Sequence, residues 1–118
     1  MRNVAAETGK AVVIEASTTV QDASTAMLDG EAEAIVVDAD GICGLVSAEG
    51  VAQALAEGHD VTTTLAGAIA DRGVPVVRAD EPLAEVHQRM RTAQQPVAVV
   101  VDRYRHPIGL LTDREAAP

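Results

Sequence analysis

Apolar and polar residues occur in the same order twice along the chain. From Val12 to Glu57 the pattern predicts a short buried strand, an alanine-rich helix, two strands joined by a tight turn, and a second helix. The stretch from Pro75 to Ala117 repeats that order, and Val13 and Val76 occupy matching positions 63 residues apart. A fixed repeat of this kind indicates one supersecondary unit used twice, in which neither copy buries its apolar face alone.

Capping and turn residues place the ends of these elements. Ser17, Thr18 and Thr19 are candidates to cap the first helix of the first copy by accepting a free backbone N–H, and Ser47 is expected to cap its second helix. Asp80 and Thr112 are expected to do the same in the second copy. A last helix from Asp113 has barely more than one turn and is expected to fray. The predicted strands cover 12–14, 34–37, 42–47, 76–80, 97–101 and 107–112, and helices are predicted over 20–30, 48–57, 65–72 and 82–93.

The repeats define the expected domain organisation. Residues 1–58 form repeat 1 with an N-terminal segment, residues 59–74 form a linker with a short helix, and residues 75–118 form repeat 2 with a truncated last helix. Apolar strands that alternate with helices predict a mixed α/β (α+β) fold with a β-α-β-β-α order in each half.

Composition and charge exclude several classes of partner. The net charge is −9, and Tyr104 is the only aromatic residue. A nucleic acid polymer needs a basic surface and, for single strands, stacking side chains, so nucleic acid and anionic membrane surfaces are not expected partners. No apolar run reaches the length of a membrane span, and the N-terminal residues lack the apolar stretch of a signal peptide, so a cytoplasmic location is expected.

The residues that could carry chemistry form no catalytic or metal-binding pattern. Cys43 is the only cysteine and is expected to be a packed or half-exposed thiol beside a turn. The three histidines, His59, His87 and His106, are too scattered in sequence for a metal site. We therefore expect no enzyme activity, no cofactor and no metal.

Two motifs in register carry a family resemblance. Residues 35–38 (Ile-Val-Val-Asp) lead to residues 44–47 (Gly-Leu-Val-Ser), and residues 99–102 (Val-Val-Val-Asp) lead to residues 109–115 (Gly-Leu-Leu-Thr-Asp-Arg-Glu). These motifs resemble the tandem CBS (cystathionine-β-synthase) domain pair, called a Bateman module. The inter-repeat stretch 54–67 is similar to stand-alone actinobacterial members related to the mycobacterial hypoxic response protein.

The resemblance implies both a fold and a class of function. It implies two CBS repeats packed sheet to sheet with pseudo-two-fold symmetry, usually in a homodimer, and clefts that in many members hold adenosine-containing ligands of the AMP, ATP or S-adenosylmethionine type. It implies regulation, with a regulated protein acted on in trans.

The resemblance also implies a ligand site in repeat 2. The hydroxyl of Thr112 would hold a phosphate, Glu115 would accept the ribose hydroxyls, and Arg114 is the candidate cation. An apolar slot for the adenine would be lined by Val77, Ala79 and Ala98.

By the same matching, repeat 1 is expected to have a degenerate site. Its matching residues are Ile14, Ile35, Ser47 and Gly50, and Gly50 has no side chain to meet a ribose. Glu33, where many nucleotide-binding members place a basic residue, would repel a phosphate.

Two interpretations stay open at this point. In one, the chain senses an adenosine-type ligand in repeat 2. In the other, it is a dimeric protein-interaction module with vestigial clefts. Symmetric dimerisation is expected in either case, because apolar helix surface is expected around Val20, Met27, Leu55, Val86 and Met90.

Overall fold

The computed structural model describes residues 1–116, and the chain divides into two compact units. The repeat 1 unit comprises residues 11–73, and the repeat 2 unit comprises residues 1–10 together with the chain from Val74 onward. Each unit holds one three-stranded sheet covered by helices. The mixed fold with two copies of one unit is therefore confirmed.

The two units contain matching elements in the same order. In the repeat 1 unit these are β1 (Val12–Glu15), α1 (Val20–Gly30), β2 (Ala34–Asp38), β3 (Gly41–Val46), α2 (Ala48–Ala56) and α3 (Ala66–Ile69). The repeat 2 unit has β4 (Val76–Arg78), α4 (Leu83–Ala93), β5 (Val97–Val101) and β6 (Pro107–Thr112), with 3₁₀ turns at Val4–Glu7 and Arg114–Ala116. The part of the predicted last helix at residues 117–118 lies outside the described residues.

Each sheet has one parallel and one antiparallel pairing. β1 runs parallel to β2, and β2 forms an antiparallel hairpin with β3. The same pairings join β4, β5 and β6, and both hairpins carry a register irregularity at the matching place, Val36/Val37 and Val100/Val101. The repeat observed in the sequence therefore extends to the detailed register of the sheets.

The segment that precedes each repeat packs in the unit of the other repeat. Gly9 exchanges two backbone hydrogen bonds with Leu110 on β6, at 2.8 and 2.9 Å, and the Val4 N–H donates to the Glu81 carbonyl. Val4 is fully buried among repeat 2 residues. These backbone bonds place residues 1–10 in the compact unit of repeat 2, and the predicted division of the chain into residues 1–58, 59–74 and 75–118 stays a prediction.

The helix predicted over residues 65–72 is shorter than expected. The structure confines it to Ala66–Ile69, because Asp71 is extended and exchanges backbone hydrogen bonds with Leu45 on β3. Asp71 thus occupies, in the repeat 1 unit, the place that Gly9 occupies in the repeat 2 unit.

The prediction that Asp80 caps α4 was wrong. Pro82 is the N-cap residue and makes no side-chain hydrogen bond, while the Asp80 carboxylate pairs with Arg78 at 2.7 Å. Glu81 accepts from the Arg78 backbone N–H instead and closes the turn that leads into the helix. Of the three candidate caps of α1, the structure selects Thr19, whose side chain accepts from the Asp22 N–H at 3.2 Å.

Most of the apolar helix residues expected on the surface are buried. Val20 and Val86 are fully buried, and Met27 and Met90 retain 9% and 1% exposure inside the two cores. Only Leu55, at 53% exposure, lies on the surface as expected. Four of the five residues are therefore used within the units, and homodimerisation stays a prediction that rests on other surface.

The environment of Cys43 makes a testable prediction about its reactivity. Its thiol donates to the Asp38 carboxylate at 3.0 Å, and this hydrogen bond, with burial and the carboxylate charge, raises the pKa of the Cys43 thiol. The thiolate is the reactive form. We therefore expect alkylation by iodoacetamide near neutral pH to be slow, and to be faster in Asp38→Asn.

The matched control for this measurement is Asp40→Asn, which changes an exposed carboxylate of the same turn. Mass spectrometry over a time course gives the rates. Equal rates for the wild type and Asp38→Asn would show that the carboxylate does not suppress the thiolate.

Candidate functional site

In repeat 2 the motif Gly-Leu-Leu-Thr ends β6 and leads into a short turn. Asp113 is buried, and its Oδ1 accepts the Glu115 backbone N–H at 3.0 Å. Its carbonyl accepts the Ala116 N–H. Asp113 therefore caps the turn, and the expectation that Thr112 would be the cap was wrong because the Asp113 carboxylate accepts the Glu115 N–H.

This arrangement leaves the Thr112 side chain exposed. Within residues 1–116 the Thr112 hydroxyl has no hydrogen-bond partner, and Arg114 is also exposed. The hydroxyl and the guanidinium belong to neighbouring residues of one short segment. The family resemblance implies that both groups take part in binding a phosphate.

Arg91 on α4 holds two carboxylates of the same segment. Its Nε donates to Asp113 Oδ2 at 3.0 Å, and its Nη2 lies 2.7 Å from Glu115 Oε2. The Asp113 side chain is 5% exposed, whereas that of Glu115 is 74% exposed. Glu115, the predicted ribose acceptor, is therefore already paired, although in an exposed and weak ion pair.

His87 completes this cluster on α4. Its Nδ1 lies 3.8 Å from Asp113 Oδ2, and its Nε2 is buried without a hydrogen-bond partner among the described residues. Sequence analysis treated His87 only as one of three scattered histidines and missed its relation to Asp113. The only signal was the turn-by-turn spacing of His87 and Arg91, which puts both on one face of the helix.

The three apolar residues predicted to line an adenine slot belong to one core cluster of the repeat 2 unit or pack against it. Val77 and Ala98 are buried in the core of the repeat 2 unit, at 4% and 0% exposure. Ala79 lines an open cleft of about 380 Å³ beside Asp102 and Tyr104. Ala79 also packs against the core cluster that contains Val77 and Ala98, and the role of the three side chains as an adenine slot stays a prediction.

In repeat 1 the motif hydroxyl is engaged. Ser47 caps α2 as predicted, and its Oγ accepts the Gly50 N–H at 3.1 Å. Gly50 lines a cleft of about 210 Å³ with Glu57 and His59. Typical ligand sites occupy roughly 300–1,000 Å³, so this cleft is small for a nucleotide. Ile14 and Ile35 are buried, at 9% and 0% exposure.

A larger apolar cleft in the repeat 1 unit was missed by sequence reasoning. It measures about 420 Å³ between α1 and α2 and is lined by Met27, Leu28, Ala32 and Val51, among others. Glu33 lies at its wall, and burial raises the pKa of the Glu33 carboxyl. Leu28 is 78% exposed, and the helical spacing of the apolar residues in α1 gave no sign of the cleft.

The described residues contain neither a metal-binding cluster nor a helix that could span a membrane. Among residues 1–116, no group of three or more His, Cys, Asp or Glu side chains is placed to hold a metal ion. None of the helices described there is both long enough and apolar enough to cross a membrane.

Comparison with solved structures identifies the fold. The chain is similar to hypoxic response protein I, solved with two coordinated zinc ions, at 19% identity and a TM-score of 0.77 over 96% of this chain and 94% of that chain. It is also similar to a CBS domain protein from Pyrobaculum aerophilum complexed with AMP, at 19% identity and a TM-score of 0.78 over 96% and 88% of the two chains.

A third similar structure is a CBS domain pair in complex with 5′-methylthioadenosine and S-adenosyl-L-methionine. It matches at 22% identity and a TM-score of 0.76, over 96% of this chain and 94% of that chain. No curated protein matches the sequence.

The family model for the CBS domain matches the sequence twice, over residues 4–57 and 66–117. Each match begins at the short helical segment that precedes the first strand of its repeat, so the matched unit is larger than the β-α-β-β-α core. Together the two matches span most of the chain, and the chain therefore belongs to the CBS domain family, as a tandem pair.

Proposed function

We propose that this CBS pair is a non-catalytic regulatory module that binds an adenosine-containing ligand at the repeat 2 motif. One observation carries the proposal. In repeat 1 the motif hydroxyl of Ser47 is used as a helix cap, whereas in repeat 2 Asp113 takes over the capping and the Thr112 hydroxyl stays exposed. Relatives with the same fold are complexed with AMP, 5′-methylthioadenosine and S-adenosyl-L-methionine.

The residues of the repeat 2 segment have complementary roles in this proposal. The Thr112 hydroxyl donates to a phosphate or another anionic group, and Arg114 supplies the positive charge. The Glu115 carboxylate accepts the two ribose hydroxyls. A carboxylate that accepts two O–H groups forms strong charge-assisted hydrogen bonds, which suits recognition of a ribose.

Arg91 connects the site with α4. A ribose that binds Glu115 competes with the Arg91 guanidinium for the same carboxylate oxygens. Because Arg91 also pairs with buried Asp113, ligand binding would shift Arg91 toward Asp113 and change how the terminal segment is held on the helix. Ligand binding at Glu115 would in this way be coupled, through Arg91, to the contacts between α4 and the terminal segment.

Thermal unfolding with a panel of adenosine ligands tests the proposal. A ligand at about 100 times its Kd adds about 2.7 kcal/mol to the free energy of unfolding. This raises the midpoint by on the order of 4 °C per kcal/mol for a domain of this size. We expect one ligand of the panel to give such a shift.

Glu115→Gln should then weaken binding of that ligand by about tenfold or more, because charged hydrogen bonds contribute about 1.5–3 kcal/mol. The matched control is Glu85→Gln, which changes an exposed carboxylate on α4. A panel without any shift, or a ligand that binds Glu115→Gln and wild type equally, would contradict the proposed site.

A second candidate function is a dimeric protein-interaction module with vestigial clefts. The small cleft at Gly50 and the pairing of Glu115 with Arg91 favour it. In this case the wild type would show no ligand response, and a regulated protein would bind in trans. Light scattering at micromolar concentration tests the dimer in both cases, and a monomeric mass would contradict it.

A further inference from the structure

The turn between β5 and β6 differs in charge from the rest of the chain. This segment, residues 102–106, is here called the basic turn, and it contains Arg103, Tyr104, Arg105 and His106, all four exposed. The chain as a whole carries a net charge of −9. Basic side chains gathered at one exposed turn of an acidic protein therefore call for an explanation of their own.

Both arginines of the basic turn are without a carboxylate partner in the part of the chain that the structure describes. Within residues 1–116, neither Arg103 nor Arg105 has a carboxylate oxygen at ion-pair distance. The Arg103 guanidinium lies 5.3 Å from the centre of the Tyr104 ring, within cation–π range. Four other arginines pair with carboxylates at 2.7 to 3.0 Å, namely Arg2, Arg78, Arg89 and Arg91. The two positive charges of the basic turn are thus available to a partner.

The matching turn of repeat 1 shows that a turn at this place is built without such side chains. Residues 38–41 have the sequence Asp-Ala-Asp-Gly. Asp38 Oδ1 accepts the Asp40 N–H at 2.8 Å, just as Asp102 Oδ1 accepts the Tyr104 N–H at 2.8 Å. One aspartate at the start of the turn therefore provides the hydrogen bonds in both repeats, and the arginines and the tyrosine are not needed for them.

Two side chains of the basic turn are also unfavourably placed for a purely structural role. Arg105 has a φ of +67°, a left-handed conformation that disfavours a long side chain, whereas the turn of repeat 1 has Gly41 at φ +119°. Tyr104 is the only aromatic residue and is 68% exposed, outside both cores. Tyrosine and arginine are among the residue types most enriched in the side chains that dominate protein interfaces.

The carboxylates beside the basic turn are already engaged. Asp102 Oδ1 also accepts the His106 backbone N–H at 2.9 Å, and this hydrogen bond is the main cause that keeps the pKa of Asp102 below its usual range. Asp80, across a cleft from Tyr104, pairs with Arg78 at 2.7 Å. An incoming anion therefore meets carboxylates whose charge is largely compensated. The same hydrogen bonds hold the turn in one conformation, so that little conformational freedom is lost on binding.

From the unpaired charges and the exposed ring on a preformed turn, we infer that the basic turn binds a short acidic segment of another protein. The guanidinium groups of Arg103 and Arg105 form charge-assisted hydrogen bonds with carboxylates of that segment, and the Tyr104 ring packs on its apolar atoms. A long polyanion such as nucleic acid does not fit, because the acidic surface around the turn repels it. The inference goes beyond the proposed adenosine site and gives the module a surface for a protein that it regulates in trans.

Fluorescence anisotropy of a fluorescein-labelled hexaglutamate peptide, titrated with the full chain, tests the inference. At about 20 mM NaCl we expect saturable binding with a Kd below about 1 mM. Binding should weaken about tenfold at about 200 mM NaCl, because salt screens exposed charges. Arg103→Gln with Arg105→Gln should weaken binding by about tenfold or more, because both charged contacts are lost. The matched control is Arg2→Gln with Arg89→Gln, which removes the same charge from two exposed arginines outside the turn.

Arg105→Gly separates binding from folding. Glycine adopts the left-handed conformation without strain, so the thermal midpoint should equal or exceed that of the wild type. Binding of hexaglutamate should nevertheless weaken by about threefold or more, because one of the two guanidinium groups is lost. A lowered midpoint would assign Arg105 to the stability of the fold and contradict the inference.

Tyr104 provides a second measurement on the wild type. The chain has no tryptophan and no other tyrosine, so its tyrosine emission reports the basic turn alone. Unlabelled hexaglutamate should decrease the quenching of that emission by acrylamide. Unchanged quenching at saturating peptide would place the peptide elsewhere on the chain and overturn the inference.

The remaining outcomes also decide the matter. The absence of saturable hexaglutamate binding, or equal binding by the wild type and the Arg103→Gln, Arg105→Gln variant, overturns the inference. Equal weakening in the control variant shows that binding follows net charge alone, and overturns it as well. Displacement of hexaglutamate by a tenfold lower concentration of tripolyphosphate replaces the acidic segment by a phosphate compound. An adenosine panel without a thermal shift contradicts only the proposed site at Thr112, because the two sites share no residue.

Discussion

Replacing Gly109 by valine is expected to unfold the repeat 2 unit or to lower its stability severely. A Cβ at this position would overlap the Gly9 carbonyl oxygen and lie 2.6 Å from Thr8 Cγ2. Gly9 and Leu110 exchange the two hydrogen bonds that join the N-terminal segment to β6, so the backbone cannot move away without losing them. The motif glycine of repeat 2 is therefore required by close backbone approach.

The motif glycine of repeat 1 meets the same constraint. A Cβ at Gly44 would lie 2.5 Å from the Asp71 carbonyl oxygen. Overpacking that flexible side chains can relieve costs about 1–3 kcal/mol. Backbone atoms move less easily than side chains. We therefore expect Gly44→Val and Gly109→Val each to lower the free energy of unfolding by about 3 kcal/mol or more, which is a large part of the roughly 5–15 kcal/mol of a typical domain.

Gly50→Ala is the matched control for both valine variants. A Cβ at Gly50 meets only Ser47 Oγ at 3.5 Å, and the position lies in the first turn of α2. Alanine in a helix is favoured over glycine by up to about 1 kcal/mol, so this variant should be as stable as the wild type or more so. Urea unfolding followed by circular dichroism measures the free energy of unfolding of the two valine variants and of Gly50→Ala. Wild-type stability of Gly109→Val would contradict the packing of residues 8–9 on β6.

Replacing Arg91 by methionine is expected to lower the free energy of unfolding by about 1–3 kcal/mol, the cost of leaving a buried acceptor without its partner. The Asp113 carboxylate is 5% exposed and receives its charged hydrogen bond from Arg91 at 3.0 Å. The methylene part of the side chain is retained in methionine, so packing changes little. The loss therefore reports the electrostatic contribution of the guanidinium.

Arg89→Met on the same helix is the matched control. Arg89 pairs with Glu81 at the surface, and such a pair contributes about 0–1 kcal/mol. In the double variant Arg91→Met with Asp113→Leu, no buried charge is left unpaired. The loss of free energy of unfolding should therefore be smaller than the sum of the losses in the two single variants. Additive effects would show that Arg91 and Asp113 do not act as a pair.

The hydrophobic pattern was sufficient to predict the strands, because strand and helix periodicities are local properties of the chain. The β2–β3 and β5–β6 hairpins and the helices α1, α2 and α4 are confirmed with ends that differ by one or two residues. The repeat itself was also predictable, since matching residues recur about 63 positions apart. The CBS family follows from the same two motifs in register.

The candidate site was predictable only in part. The residues of the repeat 2 motif, Thr112 to Glu115, were identified from their order in the sequence. Their actual roles depend on Arg91, which is more than 20 positions away. No local pattern relates Arg91 to Asp113, and for this reason capping was assigned to Thr112 although the buried carboxylate provides it.

By itself the sequence determined which segments form strands and helices, that one unit occurs twice, and that the chain carries a strong negative charge. The tertiary structure alone decided that residues 1–10 pack with repeat 2, that Gly44 and Gly109 face a neighbouring backbone, and that Arg91 holds the terminal segment. The first group depends on interactions between near neighbours in the chain. The second depends on contacts between distant segments, and these are set by packing and not by local pattern.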